Sequence, residues 1–262
     1  MPVLFVGHGS PMNLMLDNAF TRDLTALGRN LPRPRAIMVI SAHWLTNGSF
    51  VSGVKKPRMI YDFYGFSRSL YHLVYECPGA PQYAQAAADL SLAKDKISLD
   101  FQWGLDHGAY SVLKHLFPAA DIPVFEMSLN YSFNAWVPHC VSRHYELGRR
   151  LLKLRRMGVL IIGSGNVVHN LDRIDSDMDA QPYIWADQID QVIKDKLLKR
   201  DDAFLVDFPT RDKKTSSLAA PTLDHYLPMI YALALGEKGE TLRFVHESIQ
   251  NGSISMRSFI IE

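Results

Sequence analysis

Val159-Leu160-Ile161-Ile162-Gly163-Ser164-Gly165-Asn166-Val167-Val168-His169-Asn170 is the stretch whose reading decides the fold. Its apolar start is too short for a helix and rich in β-branched residues, which predicts a strand covered on both faces. The chain then enters a glycine-rich turn, and a histidine follows. Two earlier runs end in the same way. Residues 3–6 lead through Gly7 to His8, ahead of Gly9-Ser10-Pro11, and residues 36–41 lead through Ala42 to His43, ahead of Trp44. Residues 123–127 read as a further buried strand.

Between these runs the apolar residues recur three and four apart, the spacing of an amphipathic helix. The segments are 18–31, 81–92, 109–116, 136–156, 183–198 and 224–235, and Pro81 suits a first helical position. Alternating strands and helices predict a layered α/β domain. Residues 242–246 and 253–261 read as two more strands around the turn Asn251-Gly252. The expectation is a single catalytic domain over 1–262, with a central mixed β-sheet flanked by helices.

Composition excludes some functions. The 262 residues carry 28 basic and 27 acidic side chains, a net charge of +1. That balance projects no field toward nucleic acid or an anionic membrane. The densest basic run, 149–156, reads as a helix with a solvated basic face. The two cysteines, Cys77 and Cys140, form no CxxC pair and fit free thiols in a reducing compartment. The N-terminus lacks signal-peptide features, and no apolar stretch approaches the roughly 20 residues needed to span a bilayer. A soluble, cytoplasmic protein is expected.

Ten histidines are present. His72, His115, His139, His144 and His246 sit in regular patterns and read as surface or satisfied-core residues. His8 and His43 stand where strands end, and open α/β sheets bind ligands outside the carboxyl ends of their strands. His169 lies just past a third such end. The glycines before it fit either a phosphate cradle or close backbone approach to a metal site. His225 lies in Pro221-Thr222-Leu223-Asp224-His225-Tyr226-Leu227-Pro228, where Thr222 would cap a helix and its N-terminus would favour neutral imidazole. His107, beside Asp106 in Trp103-Gly104-Leu105-Asp106-His107-Gly108, also fits an ordinary N-cap or turn hydrogen bond.

Six segments, in order along nearly the whole chain, together resemble the class III extradiol dioxygenases, most closely the 4,5-DOPA extradiol branch. They are Gly7–Pro11, Ser41–Trp44, Tyr61-Asp62-Phe63-Tyr64-Gly65-Phe66, Trp103–Gly108, the glycine-rich turn through Asn170, and Pro221–Pro228. The resemblance implies a divalent metal held by His8, His43 and His225, with His169 close by as acid/base or fourth ligand. Distant members use two histidines and a glutamate around Fe(II). Here no Glu occupies the last motif, so His225 is the expected third ligand, with the shorter Asp224 as the other choice. Some relatives carry an all-histidine set with Zn(II).

The implied activity is oxidative opening of a small catechol by dioxygen. Fe(II) can relay electrons between the two substrates, and Zn(II) cannot. An imidazole suits the removal and return of the catechol proton, which is assigned to His169. His107 is assigned to orienting substrate or dioxygen, and residues 61–66 to the pocket wall or to ordinary core. Three other readings remain open at this point. They are a zinc hydrolase on the same histidines, a non-catalytic partner-binding relative, and nucleotide binding through residues 163–166.

Overall fold

Three of the strands expected from sequence lie side by side in parallel, and their register places the histidines. In the computed structural model, which describes residues 1–93, 95–131 and 140–262, they are β1 (Val3–Gly7), β2 (Ala36–Thr46) and β6 (Val159–Gly165). Strand β6 lies between the other two, with Gly7 opposite Gly165 and Ser41 opposite Ser164. The three carboxyl ends therefore open on one edge.

The full order is β4-β3-β5-β2-β6-β1-β10-β7. Strand β5 (Val124–Asn130) runs parallel to β2. Strands β3 (Ser49–Ser52) and β4 (Ile97–Asp100) pair in parallel with each other, and β3 runs antiparallel to β5. At the other side β10 (Ser258–Ile261) runs antiparallel to β1 and to β7 (Leu242–His246). The sheet is mixed, as expected.

Alternation along the central strands splits the core in two. Val3, Phe5, Met38, Ile40 and Ile161 face one layer, and Leu4, Val6, Ile37, Val39 and Ile162 face the other. The second face is covered by α1 (Ala19–Asn30) and α3 (His107–Leu116). Asn18 starts α1 with a reciprocal capping box to Thr21. The first face is covered by α2 (Pro81–Asp89), α4 (Cys140–Arg150), α5 (Leu152–Arg156), α6 (Ile184–Leu198), α7 (Asp202–Arg211), α8 (Lys213–Ala219) and α9 (Leu227–Leu235). Every residue of α9 is buried. Among the described residues no helix is long and apolar enough to cross a membrane.

The structure corrects several sequence expectations. Residues 136–156 form no single helix over their described part, because a break at Leu151 separates α4 from α5, and His139 lies outside the described residues. The turn at Asn251-Gly252 joins a separate two-stranded ribbon, β8 (Ile249–Gln250) with β9 (Ile254–Ser255), before β10 enters the sheet. Strand β2 continues to Thr46, so His43 lies inside it, at an irregularity between Ile40 and Leu45 that turns residues 41–44 away from regular pairing with β5. The basic run is not wholly solvated. Arg155 is buried, paired with Glu240 at 2.6 Å and bonded to the carbonyls of Met1 and Leu235. Cys77 is a free, buried thiol, and Cys140 is buried.

Candidate active site

His8 follows the last residue of β1, and its backbone N–H donates to the Gly165 carbonyl at 3.2 Å. The Ser164 hydroxyl donates to the Gly108 carbonyl at 2.6 Å, so it accepts from His8 Nδ1, 2.9 Å away. This places the His8 proton on Nδ1 and leaves the Nε2 lone pair facing the site. His8 Nε2 lies 3.1 Å from His43 Nε2. His43 Nδ1 in turn is 3.4 Å from Asp62 Oδ2.

His225 repeats the pattern, with Nδ1 2.7 Å from Asp224 Oδ2. Burial would raise the Asp224 carboxyl, yet hydrogen bonds from His225 and Thr222 hold it well below the usual carboxylate range. Asp224 is thus engaged by the imidazole beside it. The helix expected from 224 begins only at Leu227 and has no side-chain cap. His225 precedes it in a turn, and Thr222 does not cap it. What fixes His225 is close packing. Its carbonyl accepts from Asn166 N–H at 2.9 Å, and a Cβ at Gly165 would lie 2.2 Å from that same oxygen. A Cβ at Gly163 would lie 2.3 Å from the Pro228 carbonyl. The buried glycines therefore admit the 225–228 backbone and form no phosphate cradle. Gly165→Ala is expected to destabilise the protein by about 1–3 kcal/mol, as overpacking does, and to displace His225. Thermal melts together with a metal titration check this, and a wild-type melt and affinity would contradict it.

His107 opens α3 behind Asp106, which caps the helix by accepting from Ala109 N–H at 3.0 Å. The His107 N–H donates to Asp62 Oδ1 at 2.9 Å. Its Nδ1 approaches Asp62 Oδ2 to 3.0 Å without making a hydrogen bond. Asp106 also accepts from Ser41 Oγ at 2.7 Å, and Ser41 Oγ accepts from the His43 N–H. Beneath them Glu126, fully buried on β5, accepts from the Asp106 N–H and from the Trp103 indole, each at 2.9 Å. Burial pushes both the Asp106 and Glu126 carboxyls upward, with repulsion from Asp62 adding to it at Asp106 and repulsion from Asp106 adding to it at Glu126. Trp103 stacks on Trp44, with centroids 5.0 Å apart. The second and fourth sequence motifs are thereby clamped together.

His169 lies parallel to His225, with ring centroids 3.5 Å apart. The five sequence-predicted site histidines therefore converge. His43 lies 3.9 Å from His107 and 4.9 Å from His225, centroid to centroid. Ligand nitrogens of His8, His43 and His107 all fall within 4.8 Å of one another. Burial holds His8, His43 and His169 well below the ordinary imidazole value, and neighbouring imidazoles add to the effect. All three are neutral near pH 7, as metal ligation and base catalysis require.

The sign of the pH dependence follows. Above about pH 6.5, the unperturbed value, these groups are neutral in both folded and unfolded chains and contribute nothing. Below it the unfolded chain takes up protons that the folded chain refuses, so stability falls. The melting temperature of metal-free protein is expected to drop from about pH 7 to about pH 5 more steeply than that of a variant with glutamine at His8, His43 and His169. Parallel slopes would contradict the assignment.

The cluster forms the floor of a cavity of about 890 Å³. Phe63 and Phe66 line it and meet edge to face at 5.5 Å, while Tyr64 at the mouth is 91% exposed. Sequence reasoning missed Asp62 and Ser164 as site residues. Both lay in quoted motifs, but nothing in their spacing marked them as partners of histidines. The clustered imidazoles, with Nδ1 of His8 and His225 hydrogen-bonded to Ser164 and Asp224, form a donor set suited to Fe(II) or Zn(II).

Residues 15–257 match the family model described as the catalytic LigB subunit of aromatic ring-opening dioxygenase. The chain belongs to the LigB family of extradiol dioxygenases. This LigB-family enzyme is 41% identical to a 4,5-DOPA dioxygenase extradiol of Escherichia coli K12, over 98% of this chain and 93% of that one. It is 31% identical to a 4,5-DOPA dioxygenase extradiol of Portulaca grandiflora, over 97% and 93%. Among solved structures, an uncharacterized Escherichia coli K12 protein superposes with a TM-score of 0.84 at 38% identity, over 100% of both chains. The family is metal-dependent and acts on a small aromatic substrate with dioxygen, which agrees with a neutral histidine cluster at the bottom of an aromatic-walled cavity.

Proposed function

We propose that this dioxygenase uses Fe(II) to open a catechol bearing an amino-acid or other small polar side chain, with L-DOPA as the test substrate. The observation that carries the reading is the cluster itself: neutral imidazoles converge on one point beneath a cavity large enough for one aromatic ring and its side chain. His8, His43 and His225 are the proposed ligands: His8 and His225 have Nδ1 hydrogen-bonded to an oxygen, which leaves Nε2 for the metal, and His43 Nε2 lies 3.1 Å from His8 Nε2. His169 is the acid/base residue or a fourth ligand. His107, steadied by Asp62 at its backbone N–H, orients the substrate. When bound, Fe(II) supplies open positions for the two substrates and the electron relay that Zn(II) lacks. The chain does the rest. Phe63 and Phe66 flank the ring, and the His169 imidazole removes and returns the hydroxyl proton. The cytoplasm is the proposed compartment, in keeping with the free Cys77 thiol.

The 4.8 Å grouping favours a second ligand set, with His107 in place of His225. Metal content separates the two. Alanine at His8, His43 or His225 is expected to abolish stoichiometric binding, while His107→Ala retains it; the reverse outcome for His107 and His225 selects the second set. Asp224→Asn is expected to lower metal affinity about 10–100-fold, the usual cost of losing the partner that orients a ligand. Competition with a chromogenic chelator measures it.

The reaction is tested by anaerobic Fe(II) loading, followed by oxygen consumption with DOPA, caffeate and protocatechuate and product identification by mass. Absence of oxygen uptake on all three, with one iron held per chain, overturns the reading. A Zn-loaded sample that hydrolyses esters or amides would put a hydrolase in its place.

A further inference from the structure

Apart from its histidines, the lining residues that carry charge near pH 7 are Asp17, Asp62, Asp175 and Asp179, and among the described lining residues none is Lys or Arg. Two of the four carboxylates are engaged. Asp17 pairs with Arg22 at 3.2 Å, and Asp62 faces His43 and His107 on the floor. Asp175 and Asp179 stand on the outer wall, in the segment that follows the short helical turn Leu171–Arg173, and neither has an ion-pair partner among the described residues. Asp175 Oδ1 accepts from the Asp177 N–H at 2.9 Å, and its carbonyl accepts from Asn251 Nδ2 at 2.9 Å. Asp175 is thereby held on the wall with its other oxygen uncommitted.

A second feature of the same cavity marks it as a ligand site. The imidazoles of His8, His43 and His107 line its floor, with ligand nitrogens within 4.8 Å of one another. On the catechol reading, a ring bound over this floor shares its cavity with Asp175 and Asp179, and its substituent can meet them there. A carboxylate there meets two carboxylates and no cation, whereas an ammonium meets two opposite charges. Specificity of this kind is a difference of affinities, and a like-charge contact contributes to it as much as an attractive one.

We propose that Asp175 and Asp179 select catechols whose side chain carries an ammonium group, so that the amine of an amino-acid catechol, rather than its carboxylate, is what the cavity recognises. The proposal rests on the catechol reading above and narrows its substrate class. Partly exposed charge pairs are each worth about two- to fivefold in affinity, so the pair together is worth about tenfold. Salt weakens the preference, because the rim is open to solvent.

Four compounds of one ring and nearly one size test this: 4-(2-aminoethyl)catechol, DOPA, 4-ethylcatechol and 3-(3,4-dihydroxyphenyl)propionate. Equilibrium binding to the Zn(II)-loaded protein and kcat/KM on the Fe(II)-loaded protein are measured in parallel. The expected order of preference is amine, then the zwitterion and the neutral compound, then the carboxylate. Asp175→Asn combined with Asp179→Asn is expected to reduce the amine-to-neutral ratio about tenfold. Raised salt is expected to reduce it in the wild type. If all four catechols bind and react without this order, or if the double variant keeps it, the proposal is overturned while the dioxygenase reading stands. If 4-ethylcatechol neither binds nor consumes oxygen, the catechol reading fails and this proposal fails with it.

Discussion

His169→Ala is expected to lose about 10²–10⁴-fold in turnover, the usual contribution of a general base, with a much smaller change in catechol affinity. Burial, reinforced by His225 and His107, keeps its imidazole neutral near pH 7 even though the Asp224 carboxylate pulls the other way. It therefore begins the cycle able to accept a proton. Its ring lies flat against His225 at 3.5 Å, and its N–H is tied to the Ala219 carbonyl at 2.7 Å, so its position relative to the cluster is fixed from two sides. The measurement is single-turnover kinetics of the Fe(II)-loaded variant, alongside metal content and catechol binding. Unchanged turnover in a fully loaded variant removes His169 from the reaction. Loss of metal instead makes it a fourth ligand.

Arg257→Met is expected to cost about 3–5 kcal/mol of folding stability, the cost of leaving one member of a buried ion pair alone. Arg257 is 1% exposed and bonds Asp190 through two nitrogens and Glu247 through a third. Asp190 is itself buried on α6 and would be left as an uncompensated charge. The effect reaches the site by a short path. Asp190 Oδ1 accepts from Ser255 Oγ at 2.6 Å, the Ser255 carbonyl accepts from Asn166 Nδ2 at 2.7 Å, and the Ser255 N–H donates to the Val168 carbonyl at 3.0 Å. The turn that carries His169 hangs on this residue. Urea denaturation gives the stability, and a loss below about 1 kcal/mol would show that the pair contributes little net. Arg257→Met with Asp190→Leu is expected to recover most of the loss, because apolar residues of similar volume commonly replace a buried pair at little cost.

The central strands were legible in the sequence because each is buried on both faces, so its apolar run is continuous and ends abruptly in Gly or His. Strands β3 and β4 were not read, since Ser-Phe-Val-Ser and Ile-Ser-Leu-Asp are short and half polar at the edge of the sheet. Helices α7 and α8 were not read either. Pro209 lies inside α7, and the seven residues of α8 are mostly polar, so neither carries a clean helical period.

By itself the sequence determined which histidines stand at chain features that could hold a ligand: His8 and His43 near strand ends, His169 beyond a glycine turn, and His225 and His107 in turns beside an aspartate. Local pattern is enough for this, since strand termini and turns follow from short-range apolar periodicity and from Gly, Pro and Asx chemistry. Only the tertiary structure decided how those residues work together. The register that sets Gly7 beside Gly165 and Ser41 beside Ser164 brings the strand ends together. Packing of the 225–228 backbone against Gly163 and Gly165 adds a histidine more than 50 residues away in sequence from His169, stacked on its ring. The groups that face Nδ1, Ser164 for His8 and Asp62 for His43, are 156 and 19 residues distant along the chain. Proton placement and electrostatic neutrality depend on what lies within a few ångströms in space, and neighbours along the chain do not specify that.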